Sequence, residues 1–249
     1  AAYDAIHAAD AHALVLTAGL APTTERGPQN LSDLLFLEAL YDNGAAAVFD
    51  GVAAKPYGFD TGPDDRRAYP ALLNVSRLLL LRQEMGRRGD AGKPLWASHF
   101  GWNALPADWA GEPSAWGQTT PEQQAAWTEA FYRRALMEWP WTGGLILENW
   151  QPAAPPGDPR WGFALKAADG TLSPAASVIR SLAGESNTAL WPGVYPVQAP
   201  LARYSGEWEF SDLGADFSEA GGSVVELPFA GESFAVIVRR DNYRGYLFV

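Results

Sequence analysis

The sequence has no cysteine among its 249 residues, which excludes disulfides, thiolate metal sites and cysteine nucleophiles and leaves the redox compartment open. Histidine is almost as scarce, at three. His7 and His12 are isolated and no carboxylate cluster surrounds His99 at ligand spacing, so neither a metal nor another cofactor is expected. No Gly-x-Gly-x-x-Gly follows any strand-like run, and there is no Gly-x-Ser-x-Gly elbow, so dinucleotide binding and acyl hydrolysis lack support. No apolar run approaches the roughly 18 residues of a membrane span, so membrane insertion is not expected. Positive charge is in the minority: 18 Lys and Arg stand against 29 Asp and Glu, for a net charge of −11. An acidic chain is a poor partner for nucleic acid or an anionic membrane surface and suits neutral or cationic ligands. The start, Ala1 to Ile6, has neither the basic residues nor the apolar run of a signal peptide. It also lacks an initiator Met, and the chain stops on the strand-like Tyr246-Leu247-Phe248-Val249. These ends are expected of a piece of something longer.

Aromatic residues, by contrast, are abundant. Of 11 Trp, nine lie between Trp96 and Trp161, a concentration that fits an aromatic-lined cleft or a Trp-filled core. At 47% hydrophobic and 19% charged, the chain has the makings of a large soluble core.

Strand and helix patterns alternate along the first three quarters of the chain. Residues 2–10 read as the end of a helix. The apolar run Ala13 to Leu20 reads as a strand buried on both faces, closed by Pro22. The stripe Leu34, Leu35, Leu37, Leu40 and Tyr41 predicts a helix over 31–43, stopped by Asn43-Gly44. Three further strands are predicted, at 48–54, 95–100 and 143–150. Helices are predicted at about 75–88, at 120–139 and at about 174–183. Thr120, Pro121 and Gln123 supply the N-cap, N1 and N3 of the second of these. Asp50, in mid-strand, is expected to be a structural hydrogen-bond acceptor, Trp127 and Trp139 to be core, and Asp64 to Arg67 to form a solvated loop. Four strand–helix units of this kind signify βαβ connections and a parallel sheet. After Glu185 the style changes: a Pro-rich linker precedes alternating runs at 208–210, 223–227, 233–238 and 243–247, an antiparallel module expected to be part of a β-sandwich. The expected domains are therefore 1–186 and 187–249.

Four units do not close a (β/α)8 barrel. Left alone they would expose sheet edges. Either upstream sequence supplies the remainder, or a second copy of the chain does, or the sheet is open and doubly wound. The first is favoured, because residues 1–10 read as a helix whose strand precedes Ala1.

Several segments, taken in order, carry a resemblance: Ala18-Gly19-Leu20-Ala21-Pro22, Leu34 to Tyr41 with Gly44-Ala45, Phe49-Asp50, Pro56-Tyr57, and Lys93-Pro94-Leu95-Trp96 through Phe100-Gly101-Trp102. Together they resemble the C-terminal half of clan A glycoside hydrolases, of the family 39-like and family 5-like retaining type. The resemblance covers roughly residues 1–184 and implies an α/β fold of the TIM-barrel type with strands five to eight present. It implies a carbohydrate partner and a secreted or cell-surface location, and that the segment beyond about 190 is a carbohydrate-binding β-sandwich. It also implies that the acid/base carboxylate lies upstream of Ala1. The nucleophile position falls on His99, where those families carry Glu. Lys55-Pro56-Tyr57 stands where they often have His-Pro-Tyr, and Trp150 matches the aromatic that floors the sugar subsite.

Retaining hydrolysis uses two carboxyl groups about 5–5.5 Å apart. A histidine lacks the charge that steadies an oxocarbenium ion, so His99 as a direct replacement predicts impaired hydrolysis. Glu148 is a candidate substitute: it lies two residues from Trp150 and so shares its strand face. Glu25, just past the first strand, is another candidate at the same end. Tyr57, Trp102 and Trp150 suit sugar contact, because their ring faces stack on pyranose C–H groups while N–H and O–H reach hydroxyls. Lys55 and Asn103 complete the candidate substrate-binding set. The expectation is a glycoside-hydrolase-like protein acting on or binding polysaccharide, with hydrolysis impaired at His99. The alternative is a non-catalytic carbohydrate-binding or surface-structural protein, a pseudoenzyme on a degenerate scaffold.

Overall fold

The computed structural model describes residues 2–184, 190, 195–199, 201–211, 214–217, 222–229, 231 and 233–238. It divides into two compact units, Ala1–Ser186 and Asn187–Val249.

In the first unit a helix α1 (Ala2–Ala9) is followed by α2 (Asp33–Asp42), strand β1 (Val52–Ala54), α3 (Leu78–Arg87), β2 (Leu95–Phe100), α4 (Pro121–Glu138), β3 (Thr142–Leu147) and α5 (Pro174–Gly184). The three strands form one parallel sheet in the order β1-β2-β3. Local chemistry sets the helix starts. Ser32 accepts the Leu34 amide at the N-cap of α2, which starts two residues later than the predicted 31. Thr120 accepts the Gln123 amide ahead of Pro121 at α4, as the sequence predicts.

The expected first strand differs. Residues 13–20 form an extended segment joined to the sheet by isolated parallel bridges, Leu16 to Gly51 and Leu20 to Ala54. Side chains take bonds that a regular ladder would use. The Asp50 carboxylate accepts the Val15 amide at 2.8 Å, and the Thr17 hydroxyl accepts the Ala53 amide at 3.0 Å. Leu14, expected to be buried, is 62% exposed. The second strand is also shorter than the predicted 48–54, because Ala45–Val48 forms a 3-10 turn after Gly44 in the left-handed region.

The core lies between the sheet and helices α2, α3 and α4. Leu37 and Tyr41 of α2, Leu78, Leu81 and Met85 of α3, and Phe131, Ala135 and Trp139 around α4 close over Val52, Ala54, Leu95, Ala97 and Phe100. Each fully buried Leu, Val or Phe here contributes roughly 1.5–3 kcal/mol relative to exposure. Strand β2 is irregular. Ala97 and Phe100 pair with Leu145 and Leu147, so three steps on β2 match two on β3. This bulge interrupts the alternation at Ser98 and His99, and Phe100 resumes the core face begun by Leu95 and Ala97. Gly143 and Gly144 on β3 give the Trp96 indole its place: a Cβ there would lie 2.1 and 2.6 Å from indole atoms.

Two polar anchors sit at the rim. The buried Arg77 guanidinium forks onto Asp33 at 2.7–2.9 Å and also donates to Pro70 O, Leu72 O, Thr23 O and Ser32 Oγ. It thereby ties the start of α2 to the loops flanking it. At the other end Asp50, acting as the structural acceptor expected of it, takes the Tyr3 hydroxyl at 2.6 Å and pairs with His7 Nε2 at 3.1 Å, holding α1, which has no buried residue.

In the second unit the described residues contain two antiparallel pairs. They are β4 (Arg203–Ser205) with β7 (Val224–Glu226), and β5 (Trp208–Ser211) with β6 (Gly214–Phe217). Ser233–Val238, predicted as a strand, is not in one, and its Ile237 is 93% exposed. The predicted run 243–247 and Trp191–Gly193 lie outside the described residues. Among the described residues no helix is long and apolar enough to cross a membrane.

Two outcomes are expected. Asp33→Ala strands the buried Arg77 charge and should cost about 3–5 kcal/mol in urea unfolding. The carboxyls of Glu138, Asp50 and Asp65 are all held below the usual carboxylate range. The main causes are hydrogen bonds from Arg66 to Glu138, from the Tyr3 hydroxyl to Asp50 and from Arg67 to Asp65. A depressed folded-state value means stability that is present above the ordinary carboxylate range and lost as pH falls through the lowered one. The urea midpoint should therefore hold from neutrality to about pH 5 and fall below about pH 4. Glu138→Gln should flatten part of that acid limb.

Candidate functional site

The three parallel strands run the same way, so the segments that leave their C-terminal ends meet: Lys55-Pro56-Tyr57-Gly58 after β1, Gly101-Trp102-Asn103 after β2 and Glu148-Asn149-Trp150 after β3. Backbone bonds keep them in step beyond the strands. The Gly58 amide donates to Gly101 O at 3.1 Å and the Glu148 amide to Phe100 O at 2.9 Å, while Tyr57 bridges to Gly101.

Tyr57 and Glu148, 91 positions apart, are joined here: the phenol donates to Glu148 Oε2 at 2.6 Å. Tyr57 is 6% exposed, and burial first, then this bond and the carboxylate's charge, push its pKa far above that of a free tyrosine. The phenol therefore stays protonated and acts as a fixed donor. Glu148 is half-buried, and its second oxygen has a long contact of 3.5 Å from Asn149 Nδ2. The arrangement is a carboxylate with one oxygen fixed by a phenol and the other lightly held, suited to accepting hydroxyl or N–H donors from a ligand. Arg160, forked onto Asp158, is close enough to feel the Glu148 charge.

Rings surround the phenol. Phe59, Trp116 and Phe163 have centroids 6.4, 5.9 and 5.5 Å from that of Tyr57, and Trp116 meets Phe163 edge-on at 5.4 Å. The sequence singles out neither Phe59 nor Phe163, and Trp116 enters it only as one of the clustered Trp residues. The pattern Pro56-Tyr57-Gly58-Phe59 was a usable signal for the first. Phe163 lies 106 positions from Tyr57 in a 3-10 turn, Pro159–Phe163, and has no such local signal.

The other predicted site residues are placed as follows. His99 is half-buried beside the bulge, and its Nδ1 lies 3.2 Å from Ser98 Oγ, which itself donates to Ala54 O. Trp102 and Asn103, expected to face a sugar, are both 0% exposed and belong to the interior. The Trp102 ring packs on Trp127 and Phe131 while its Nε1 donates to Thr61 O at 2.7 Å. Asn103 Nδ2 donates to Pro159 O. Their burial follows from the bulge, since Phe100 carries the core face into the turn where Trp102 fills the gap above α4. Trp150 is 59% exposed. Lys55 is half-buried, its side chain lying against Gly19. Glu25 is exposed in its own loop, bonded to Thr23 and Asn30 and not joined to the Tyr57–Glu148 pair. Among the described residues no group of three or more His, Asp or Glu could hold a metal ion.

The turn geometry has a tight constraint. A Cβ on Gly58 would fall 1.8–2.5 Å from the Trp102 indole, so only glycine fits. The next residue, Phe59, has φ 52°, a left-handed conformation that costs a bulky residue roughly 1–2 kcal/mol.

No family model matches the sequence, and no curated protein matches it. Solved structures do show likeness. A family 39 glycoside hydrolase from the gut symbiont Bacteroides cellulosilyticus WH2 is 17% identical with a TM-score of 0.45, over 68% of this chain and 33% of that one. A Faecalibacterium prausnitzii β-glucuronidase is 18% identical with a TM-score of 0.40, over 70% of this chain and 32% of that one. A family 113 β-1,4-mannanase is 17% identical with a TM-score of 0.34, over 59% of this chain and 43% of that one. The chain thus spans a third to under half of the length of these proteins.

Coupling between the phenol and the carboxylate is measurable. A double-mutant cycle of Tyr57→Phe and Glu148→Ala, read by urea unfolding, should give an interaction energy of about 1–2 kcal/mol. A value near zero would mean the two side chains do not act together.

Proposed function

We propose that the first unit is part of a glycoside-hydrolase-like (β/α) barrel that binds or acts on polysaccharide at the C-terminal edge of its sheet, with hydrolysis impaired because His99 stands at the nucleophile position. The observation that carries this reading is the Tyr57–Glu148 hydrogen bond, 2.6 Å long. It assembles two predicted site residues into a carboxylate held by a phenol that is itself packed among aromatic rings at the strand ends, where barrel enzymes of this type keep their chemistry. The exposed Trp150 ring two residues further on offers the apolar surface that a sugar face needs. The segments that resemble clan A glycoside hydrolases run through β1, β2 and their turns and support the same reading. His99 supports impairment. Its bonded partner is the neutral Ser98 hydroxyl, which does not supply the negative charge an oxocarbenium ion requires.

In this proposal Glu148 accepts sugar hydroxyls and Tyr57 fixes its orientation. Lys55 and Glu25 are outlying candidates, and the proton-managing carboxylate belongs to the upstream half. That half, contributed by upstream sequence or by a second copy, completes the barrel. The second unit would be a partial β-sandwich of the carbohydrate-binding kind, and the protein would meet its polysaccharide outside the cell. A non-catalytic carbohydrate-binding role is favoured by the same substitution at His99.

The test incubates the full-length protein, and a His99→Glu variant, with a panel of polysaccharides and assays both reducing ends and retention on the insoluble glycans. Binding by both proteins, with new reducing ends only in the variant, is the expected result. Cleavage by the parent that His99→Ala abolishes would overturn the impairment. If neither protein binds or cleaves any glycan, the carbohydrate reading itself fails.

A further inference from the structure

Among the described residues Phe59 is the one non-glycine residue with a positive φ, 52°. Strain of this kind persists where the surroundings over-determine it, and it clusters at ligand sites. Here the surroundings can be named. Upstream, Gly58 is pressed against the Trp102 indole with no room for a side chain. Downstream, Trp102 Nε1 holds Thr61 O at 2.7 Å and the Thr61 amide donates to Gly58 O at 3.2 Å, closing the turn. From above, Gly117 lies on the Phe59 backbone so closely that a Cβ would come within 2.8 Å of the Phe59 carbonyl carbon. The residue has no freedom to relax.

The strain does not serve packing. Phe100 and Phe131 are 0% exposed and Phe163 is 5% exposed, all with ordinary backbones, whereas Phe59 is only half-buried. A core phenylalanine would gain burial for its distortion. This residue is not fully buried, and its ring lies nearly perpendicular to Tyr57, at 88°, next to the phenol that fixes Glu148.

We infer that Phe59 is a ligand-stacking residue of the Tyr57–Glu148 site, held in the left-handed conformation so that its ring is presented to a neutral pyranose. The inference rests on the carbohydrate reading given above. An aromatic ring packed edge-on against the phenol that holds a hydroxyl-accepting carboxylate offers a pyranose both of its needs, a surface for C–H groups and an acceptor for hydroxyls. Neutral sugars fit better than uronic acids. Glu148 puts negative charge at the site, and the nearby Arg160 is already forked onto Asp158.

The experiment compares the full-length parent with Phe59→Gly and Phe59→Trp. It uses calorimetric titration with cellohexaose, xylohexaose, mannohexaose and hexagalacturonate, alongside thermal unfolding. Glycine relieves the strain and removes the ring. Phe59→Gly should therefore bind the preferred neutral hexaose about tenfold more weakly while unfolding at a temperature no lower than the parent. Phe59→Trp should retain affinity. A structural role would move the other way, and loss of thermal stability in Phe59→Gly would overturn the inference. Parent-like affinity in Phe59→Gly would overturn it and leave the carbohydrate reading standing, as would a parent that binds hexagalacturonate alone. A parent that binds no hexaose overturns both.

Discussion

The Trp102 indole fills the space a side chain would need on Gly58, and the geometry of the strand ends follows from that contact. Trp102 is placed by the core: it rests on Phe131 and Trp127, and so depends on α4 packing over the sheet. By excluding a Cβ at Gly58 and taking Thr61 O it shapes the turn that carries Tyr57 on one side and Phe59 on the other. A residue that the sequence offers as a sugar-contacting aromatic therefore shapes its neighbours from inside. Positioning by a buried neighbour suits a site whose groups must be held to within a fraction of an ångström.

The bulge in β2 is the second determinant. A regular strand would continue the Leu95–Ala97 face through residue 99, but the extra residue transfers that role to Phe100. Ser98 and His99 are left half-buried, and the turn that follows delivers Trp102 and Asn103 to the interior. Bulges next to active sites commonly re-aim side chains in this way. The polar anchors around the core act on a different level. Arg77, with every guanidinium nitrogen bonded, joins loops that have little apolar surface of their own. It brings specificity of arrangement more than net stability.

Most of the helices and the two later strands were legible in the sequence, because caps and apolar stripes act over a few residues. Thr120 and Pro121 announce the helix that the structure starts at Pro121, and the stripe Leu34 to Tyr41 announces the one it starts at Asp33. The edge segment 13–20 was misread for a reason that periodicity does not encode. The Asp50 carboxylate and Thr17 hydroxyl replace ladder bonds, and both partners come from distant positions. The site was legible in part. Tyr57 and Glu148 were found as separate candidates, but their pairing depends on parallel register across β1, β2 and β3. The burial of Trp102 and Asn103 depends on the bulge, which shifts the strand by one residue and leaves no mark in composition. Phe59 had a local signal in its place after Tyr57-Gly58, but its constraint shows only in its backbone angle.

Helix α1 has no buried residue, and its Tyr3 and His7 side chains both bond the carboxylate of Asp50. Detaching it therefore exposes little apolar surface, whereas α3 opens only with the core that Leu78, Leu81 and Met85 help to form. The two helices belong to different cooperative units. Amide hydrogens of α1 should exchange with solvent through a local opening that protonation of Asp50 makes easier. Those of α3 should wait for global unfolding. The edge of the sheet next to α1 can thus be uncovered and covered again while the floor beneath Tyr57 and Glu148 stays intact.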